Sequence, residues 1–182
     1  MKRRILQYGN KLLEQKCEAV ETYTKDTENI IKDLLDTANS IADKCAGLSA
    51  PQIGYLKRII ICRRVDIEQE TDLPIWEVMI NPEVVEYSDA KSEIYEGCLS
   101  INKGNLFGPV TRPDRVKVKY NDHKFKTKEI EAIGLLSHII QHEIDHLNGI
   151  LFLKYIQNSV DLITEKELNK RLNQQNGANI QK

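Results

Sequence analysis

Gln141-His142-Glu143-Ile144-Asp145-His146 is the stretch that decides how this chain folds and what it can do. It lies within residues 132–147, where Leu135, Leu136, Ile139, Ile140 and Leu147 recur with helical period and Gly149 follows as a helix stop. On a helix, residues i and i+4 stand on one face about 6 Å apart along the axis. His142 and His146 can therefore converge on one metal ion at roughly 2.0–2.1 Å. Glu143, between them, can reach a water at that ion without being a ligand, which is the HExxH logic of metal-dependent hydrolysis. The plainer alternative is a solvated helix face with a chance pair of histidines. It fits poorly, because the chain has only four histidines and two fall at this spacing around a glutamate on an otherwise apolar helix. Leu135, Leu136, Ile139 and Ile140 also cover too wide an arc for a helix with one wet half, so a central, largely buried helix is expected.

A hydrolytic ion needs a third protein ligand and one open position. His138 lies one turn before His142, but residues 138 to 146 span about 12 Å of helix, too far for one ion to reach both ends. Cys98 is the best candidate, in Glu96-Gly97-Cys98-Leu99-Ser100, where Gly97 allows close backbone approach. Taken alone, Cys98 reads more naturally as a small buried hydrophobe. Beside the helix motif, the ligand reading is the stronger.

Around these two segments the chain reads as α+β. Ile30, Ile31, Leu34, Leu35, Ala38, Ile41 and Ala42 predict an amphipathic helix over residues 27–42, with Asp26 or Thr27 as its cap. Residues 58–62 form a β-branched run, a buried strand. Residues 76–85 are strand-like but broken at Asn81-Pro82, which should lie at an edge or a bulge. Val116, Val118 and Tyr120 alternate with Lys117 and Lys119, a half-buried strand. Asn121-Asp122 then predicts a hairpin turn into residues 125–130. A short charged helix is expected over residues 161–172, and the Asn/Gln-rich residues 173–182 as a frayed tail. Neither an internal repeat nor a linker divides residues 1–172, which read as one domain.

With 182 residues, 41% hydrophobic and 29% charged, the chain can build a hydrophobic core. A formal net charge of −1 argues against a globally basic nucleic-acid binder, so no DNA partner is expected. Met1-Lys2-Arg3-Arg4 has the charge of a signal peptide's first segment, but no apolar run follows and no membrane span is expected. Cys17, Cys45, Cys62 and Cys98 lack CxxC spacing, and reduced thiols in the cytoplasm fit best.

Three segments together carry a resemblance. Gly47-Leu48-Ser49-Ala50-Pro51-Gln52-Ile53-Gly54, then Glu96 to Ser100, then residues 141–149 are similar, in order, to the three motifs of the peptide deformylase family; Ile80-Asn81-Pro82-Glu83-Val84-Val85 resembles a further family segment. The resemblance runs over residues 5–153. It implies antiparallel strands packed around a central HExxH-bearing helix, with an N-terminal and a C-terminal helix. It implies hydrolysis of the N-terminal formyl group from formyl-methionyl peptides of newly made polypeptides, releasing formate. By position it makes Cys98, His142 and His146 the metal ligands and Glu143 the general base, then acid. The Gln52 side-chain amide and the Leu99 backbone N–H would hold the oxyanion, Gly47 would offer its backbone to the substrate, and Ile94, Leu135 and His138 would line the methionine pocket. It implies Fe2+ as the natural ion; two imidazoles and a thiolate also suit Zn2+, Ni2+ or Co2+.

Departures from the family pattern are local. Cys45 stands where a glycine is usual and Ser49 where alanine is; Ile101-Asn102-Lys103-Gly104 opens a longer loop toward Arg112, and His138 takes a place usually apolar or long-chain. A zinc peptidase cutting internal bonds would need a third ligand downstream, and His146 is the last histidine, although Glu165 and Glu167 follow. A non-catalytic metal-binding descendant would be expected to lose Glu143 or Gln52, and both are present. Lys166, Lys170 and Arg171 leave room for a transient ribosome contact, though a solvated helix face is the commoner meaning of such charges.

Overall fold

The computed structural model describes residues 1–68 and 73–179, with side chains as far as residue 174 at the C-terminal end. The first helix, α1 (Lys25–Asn39), starts earlier than its apolar stripe. Thr24 is the cap, in place of Asp26 or Thr27: its hydroxyl accepts from the Thr27 N–H, and the Thr27 hydroxyl accepts from the Thr24 N–H. Ile41 and Ala42 fall outside α1, with Ala42 opening a 3₁₀ turn (Ala42–Lys44).

Five antiparallel strands form the main sheet. These are β1 (Gly47–Ser49), β2 (Ile59–Arg63), β3 (Trp76–Tyr87), β6 (Arg115–Asn121) and β7 (Thr127–Ile133), in the order β1-β2-β3-β6-β7. A smaller antiparallel sheet has the order β4 (Lys91–Gly97), β5 (Leu106–Pro113), β8 (Ile163–Thr164). The break at Asn81-Pro82 is a bulge inside an interior strand: the register shifts between Ile80 and Glu83, and Asn81 has φ +52°. Its side-chain amide is pinned to the backbone of Val20 at 2.8 and 2.9 Å, which holds the left-handed turn in place. Val116, Val118 and Tyr120 are buried as their alternation requires. The following turn is wider than Asn121-Asp122, because the Asp122 carboxylate accepts from the N–H groups of Lys124 and Lys126. Phe125 (φ +58°) therefore sits in the turn and not in a strand.

The second helix, α2 (Leu135–Leu147), begins three residues later than its sequence pattern suggests. Ala132 and Ile133 complete β7 opposite Val116 and Arg115, and Gly134 (φ +57°) makes the break. Leu136, Ile139, Ile140 and Leu147 pack among Ile60, Cys62, Met79, Val116 and Val118. At about 1.5–3 kcal/mol for each fully buried aliphatic side chain, this contact anchors the helix at the centre of the molecule. The chain is thus α+β, with its strands packed around the HExxH-bearing helix. A separate apolar cluster of Cys98, Ile101, Val110, Leu151 and Phe152 ties the segment after α2 to the smaller sheet. The last helix, α3 (Glu165–Asn179), starts after a 3₁₀ turn at Ser159–Asp161, so it is shifted downstream of residues 161–172. Its backbone continues to Asn179 through most of the segment expected to fray; residues 180–182 lie outside the described residues.

Candidate metal centre and active site

Helical spacing puts His142 and His146 on one face of α2, and the turn leaving β4 carries Cys98 over them. One donor atom from each of Cys98, His142 and His146 lies within 4.8 Å of the others, and all three are largely shielded from solvent. The Cys98 Sγ is 3.2 Å from His146 Nε2. His142 Nδ1 meets Glu96 Oε2 at 2.9 Å, which leaves its Nε2 free to turn toward the thiol. Glu165 is instead paired with Lys44 at 3.2 Å, so the donor set is completed from upstream and not from the C-terminal helix.

These residues fit a single metal ion on three observations. Two imidazoles and one thiolate are a donor set for a divalent transition metal. Next to the donor set, Glu143 Oε2 is buried with no hydrogen-bond partner among the described residues, and so is His146 Nδ1, on the ring edge turned away from the thiol. Burial lowers the affinity of His142 for its proton, but the Cys98 and Glu96 contacts outweigh it and hold its pKa well above the usual range. Burial, reinforced by the charges of His142 and Arg112, pushes His146 well below it. A cation bound there would compete with the proton that His142 holds.

Glu143 is only 4% exposed. Burial pushes its carboxyl up to about 7, against the opposing pull of His142 and of the Ser49 hydroxyl. Gly47, in β1, makes room for it: a Cβ there would stand 2.6 Å from Glu143 Oε1 and 2.8 Å from its Cγ. The Gln52 amide is oriented by Ser49, whose N–H and hydroxyl both donate to Gln52 Oε1, at 2.9 and 2.8 Å. That leaves Gln52 Nε2 aimed at Ser100 Oγ (3.2 Å) and Cys98 Sγ (3.7 Å).

A cavity of about 230 Å³ opens above the donor set. Gly47 and Gln52 form one wall, Ile94, Cys98 and Leu99 another, and Leu135, His138, His142 and Glu143 of α2 the floor. Leu135 is 51% exposed and stands at the rim. β1 and β4 are each the outer strand of their sheet, so the cavity lies between two strand edges.

Several residues here escaped the sequence. Arg112 forms a fork onto Glu96 (Nε–Oε1 2.6 Å, Nη2–Oε2 3.0 Å) and reaches Asp145 at 2.8 Å. Burial alone would raise Glu96, but His138, His142 and Arg112 outweigh it and hold the carboxyl well below the usual range. Phe107 packs its ring on Gly97, where a Cβ would come within 2.5 Å. Two signals existed: Glu96 stands two residues before Cys98, and Asp145 lies one turn after His142.

An α+β scaffold holding a buried glutamate beside a Cys/His/His donor set, at the floor of a cleft, defines the class of a metal-binding hydrolase. The polypeptide deformylase family model matches residues 2–161. A peptide deformylase of Picosynechococcus is 38% identical over 157 residues, covering 86% of this chain and 80% of the relative. One of Lachnoclostridium phytofermentans is 38% identical over 163 residues, covering 90% and 94%. The crystal structure of the Ehrlichia chaffeensis peptide deformylase superposes with a TM-score of 0.76 at 32% identity, covering 87% of this chain and 89% of that one. This chain belongs to the polypeptide deformylase family. It is a hydrolase that removes the N-formyl group from newly made polypeptides.

Proposed function

We propose that Cys98, His142 and His146 hold one divalent ion, Fe2+ in nature with Zn2+, Ni2+ or Co2+ as substitutes, and that Glu143 moves the proton during deformylation. The observation that carries this is the unpartnered, buried Glu143 Oε2 beside three donor atoms within 4.8 Å of one another. When bound, such an ion lowers the pKa of a water and polarises a carbonyl. Glu143 takes the attacking water's proton at Oε2 and returns it to the amine as the C–N bond breaks, so that water and formamide become formate and a free amino group. Its carboxyl near 7 is poised for both transfers. Gln52 Nε2, fixed by Ser49, and the Leu99 N–H stabilise the oxyanion; one such donor is worth roughly 3–4 kcal/mol in other hydrolases.

The substrate is a formyl-methionyl nascent peptide, extended between the edges of β1 and β4 so that it meets the backbone of Gly47. Ile94, Leu135 and His138 take the methionine side chain. Residues 1–172 serve as one catalytic domain. Cytoplasmic work suits the four free thiols, and no helix among the described residues is long and apolar enough to cross a membrane. Lys166, Lys170 and Arg171 on α3 offer a place for brief ribosome contact, although Glu167 partly neutralises Lys170 and Arg171.

The test pairs metal analysis with formate release on anaerobically purified protein. The parent should carry one ion per chain and release formate from a formyl-methionyl peptide; Cys98→Ser should lose metal and turnover together. A Cys98→Ser protein with full metal and full rate would remove Cys98 from the site.

A further inference from the structure

His138 is 2% exposed, and both its ring nitrogens are occupied. Nδ1 lies 3.2 Å from Glu96 Oε1, and Nε2 lies 3.1 Å from Ser92 Oγ. An ionised carboxylate has about four acceptor positions, and Glu96 fills all of them. Oε1 takes Arg112 Nε and His138 Nδ1, while Oε2 takes Arg112 Nη2 and His142 Nδ1. Each oxygen thus has one guanidinium N–H and one imidazole. The Arg112 fork keeps Glu96 charged, and a carboxylate accepts only a donor, so His138 must carry its proton on Nδ1. In the neutral ring Nε2 is then an acceptor, and the Ser92 hydroxyl supplies the donor that selects this tautomer.

From this geometry we infer that His138 is a positioning residue for the metal centre, acting through Glu96 on His142, and that Ser92 sets its tautomer. This rests on the ligand reading of Cys98, His142 and His146 given above. His138 therefore shows the cavity the carbon edge of its ring, and its polar atoms serve the wall behind. Without His138, Oε1 of a buried carboxylate keeps an unfilled acceptor position, and Glu96 can swing about the Arg112 fork. His142 then loses the partner that fixes its ring plane. Outer-shell partners of this kind change metal affinity by about 10–100-fold.

Zinc is the probe, read by competition with a chromogenic chelator on the full chain, with the urea midpoint measured on the same preparations. His138→Leu should bind zinc about 10–100-fold more weakly. His138→Asn places an N–H where Nδ1 stood and should recover most of that loss. Ser92→Ala leaves the fold's core untouched and frees the other tautomer, so it should weaken zinc binding by a few-fold in the same direction. A His138→Leu protein with parental affinity overturns the inference. So do equal losses in the Leu and Asn variants, which would make the role one of packing, and an unchanged Ser92→Ala. Should His138→Leu not fold, Ser92→Ala and His138→Asn against parent decide the matter alone. A parent chain that binds no zinc overturns the ligand assignment and this inference together; a zinc-binding parent with indifferent variants overturns the inference only.

Discussion

At the residue scale, the contact between Gly47 and Glu143 sets how the site works. A glycine on β1 lets a buried carboxyl approach the backbone to a distance no Cβ would permit. The same packing strips the carboxyl of water and raises it to about 7. Glu143→Gln keeps the shape and removes the proposed proton carrier. Metal content should stay at the parental level, because Glu143 lies outside the proposed ligand set, while formate release should fall by at least ~10²–10⁴. Full metal with a near-normal rate would end the proton-carrier role; loss of metal together with rate would mean that Glu143 supports the site structurally. The pair His142 and His146 and the intervening Glu143 were legible because helical geometry turns spacing into proximity. The Glu96–Arg112–Asp145 network was not, since its partners lie 16 and 33 positions apart and no local period links them. His138 was legible as a pocket residue, but its bonds to Ser92 and Glu96 depend on where β4 packs.

At the element scale, α2 is flanked at both ends by glycines with positive φ. Gly134 separates it from β7, and Gly149 (φ +72°) follows its last turn. The helical pattern from residue 132 misled because Ala132 is apolar and buried in a strand as readily as in a helix; pairing with Val116 settles it. Gly149 was legible as a helix stop, but its second duty was not. A Cβ there would stand 2.4 Å from the Glu14 carbonyl oxygen and 2.6 Å from its carbon, both backbone atoms. The N-terminal segment is docked at this point, with the Cys17 N–H donating to the Leu147 carbonyl at 2.8 Å. Gly149→Ala therefore combines a left-handed alanine, costing about 1–2 kcal/mol, with a backbone clash. A loss of roughly 2–4 kcal/mol in urea unfolding is expected. A change below about 0.5 kcal/mol, within the range of ordinary surface substitutions, would show that the N-terminal segment can part from α2 freely.

At the scale of the whole molecule, the sequence pattern conveyed an α+β chain around one buried helix, but not which strands meet. β3 pairs with β6 across the β4–β5 hairpin, and the cavity exists only because that hairpin leaves β4's edge facing β1. The packing that results encloses three thiols away from the donor set. Burial pushes Cys17 up to about 11, with Arg58 opposing. Burial, with Glu143 adding to it, pushes Cys45 up to about 12 and Cys62 well above its ordinary value. An unfolded chain releases the same protons from about pH 8.5. Below that pH both states hold them and stability is unaffected; above it the folded state binds more protons, so stability falls as pH rises. The decline should continue through about 11 for Cys17 and 12 for Cys45, each thiol removing up to about 1.4 kcal/mol per pH unit within its window. Urea midpoints at pH 8 and pH 10 measure it. A Cys17→Ala, Cys45→Ala, Cys62→Ala protein should start weaker at pH 8, because it has lost packing, yet decline less between the two pH values. Equal declines in parent and variant would mean that other groups govern the alkaline limb and that the three thiols ionise as easily folded as unfolded.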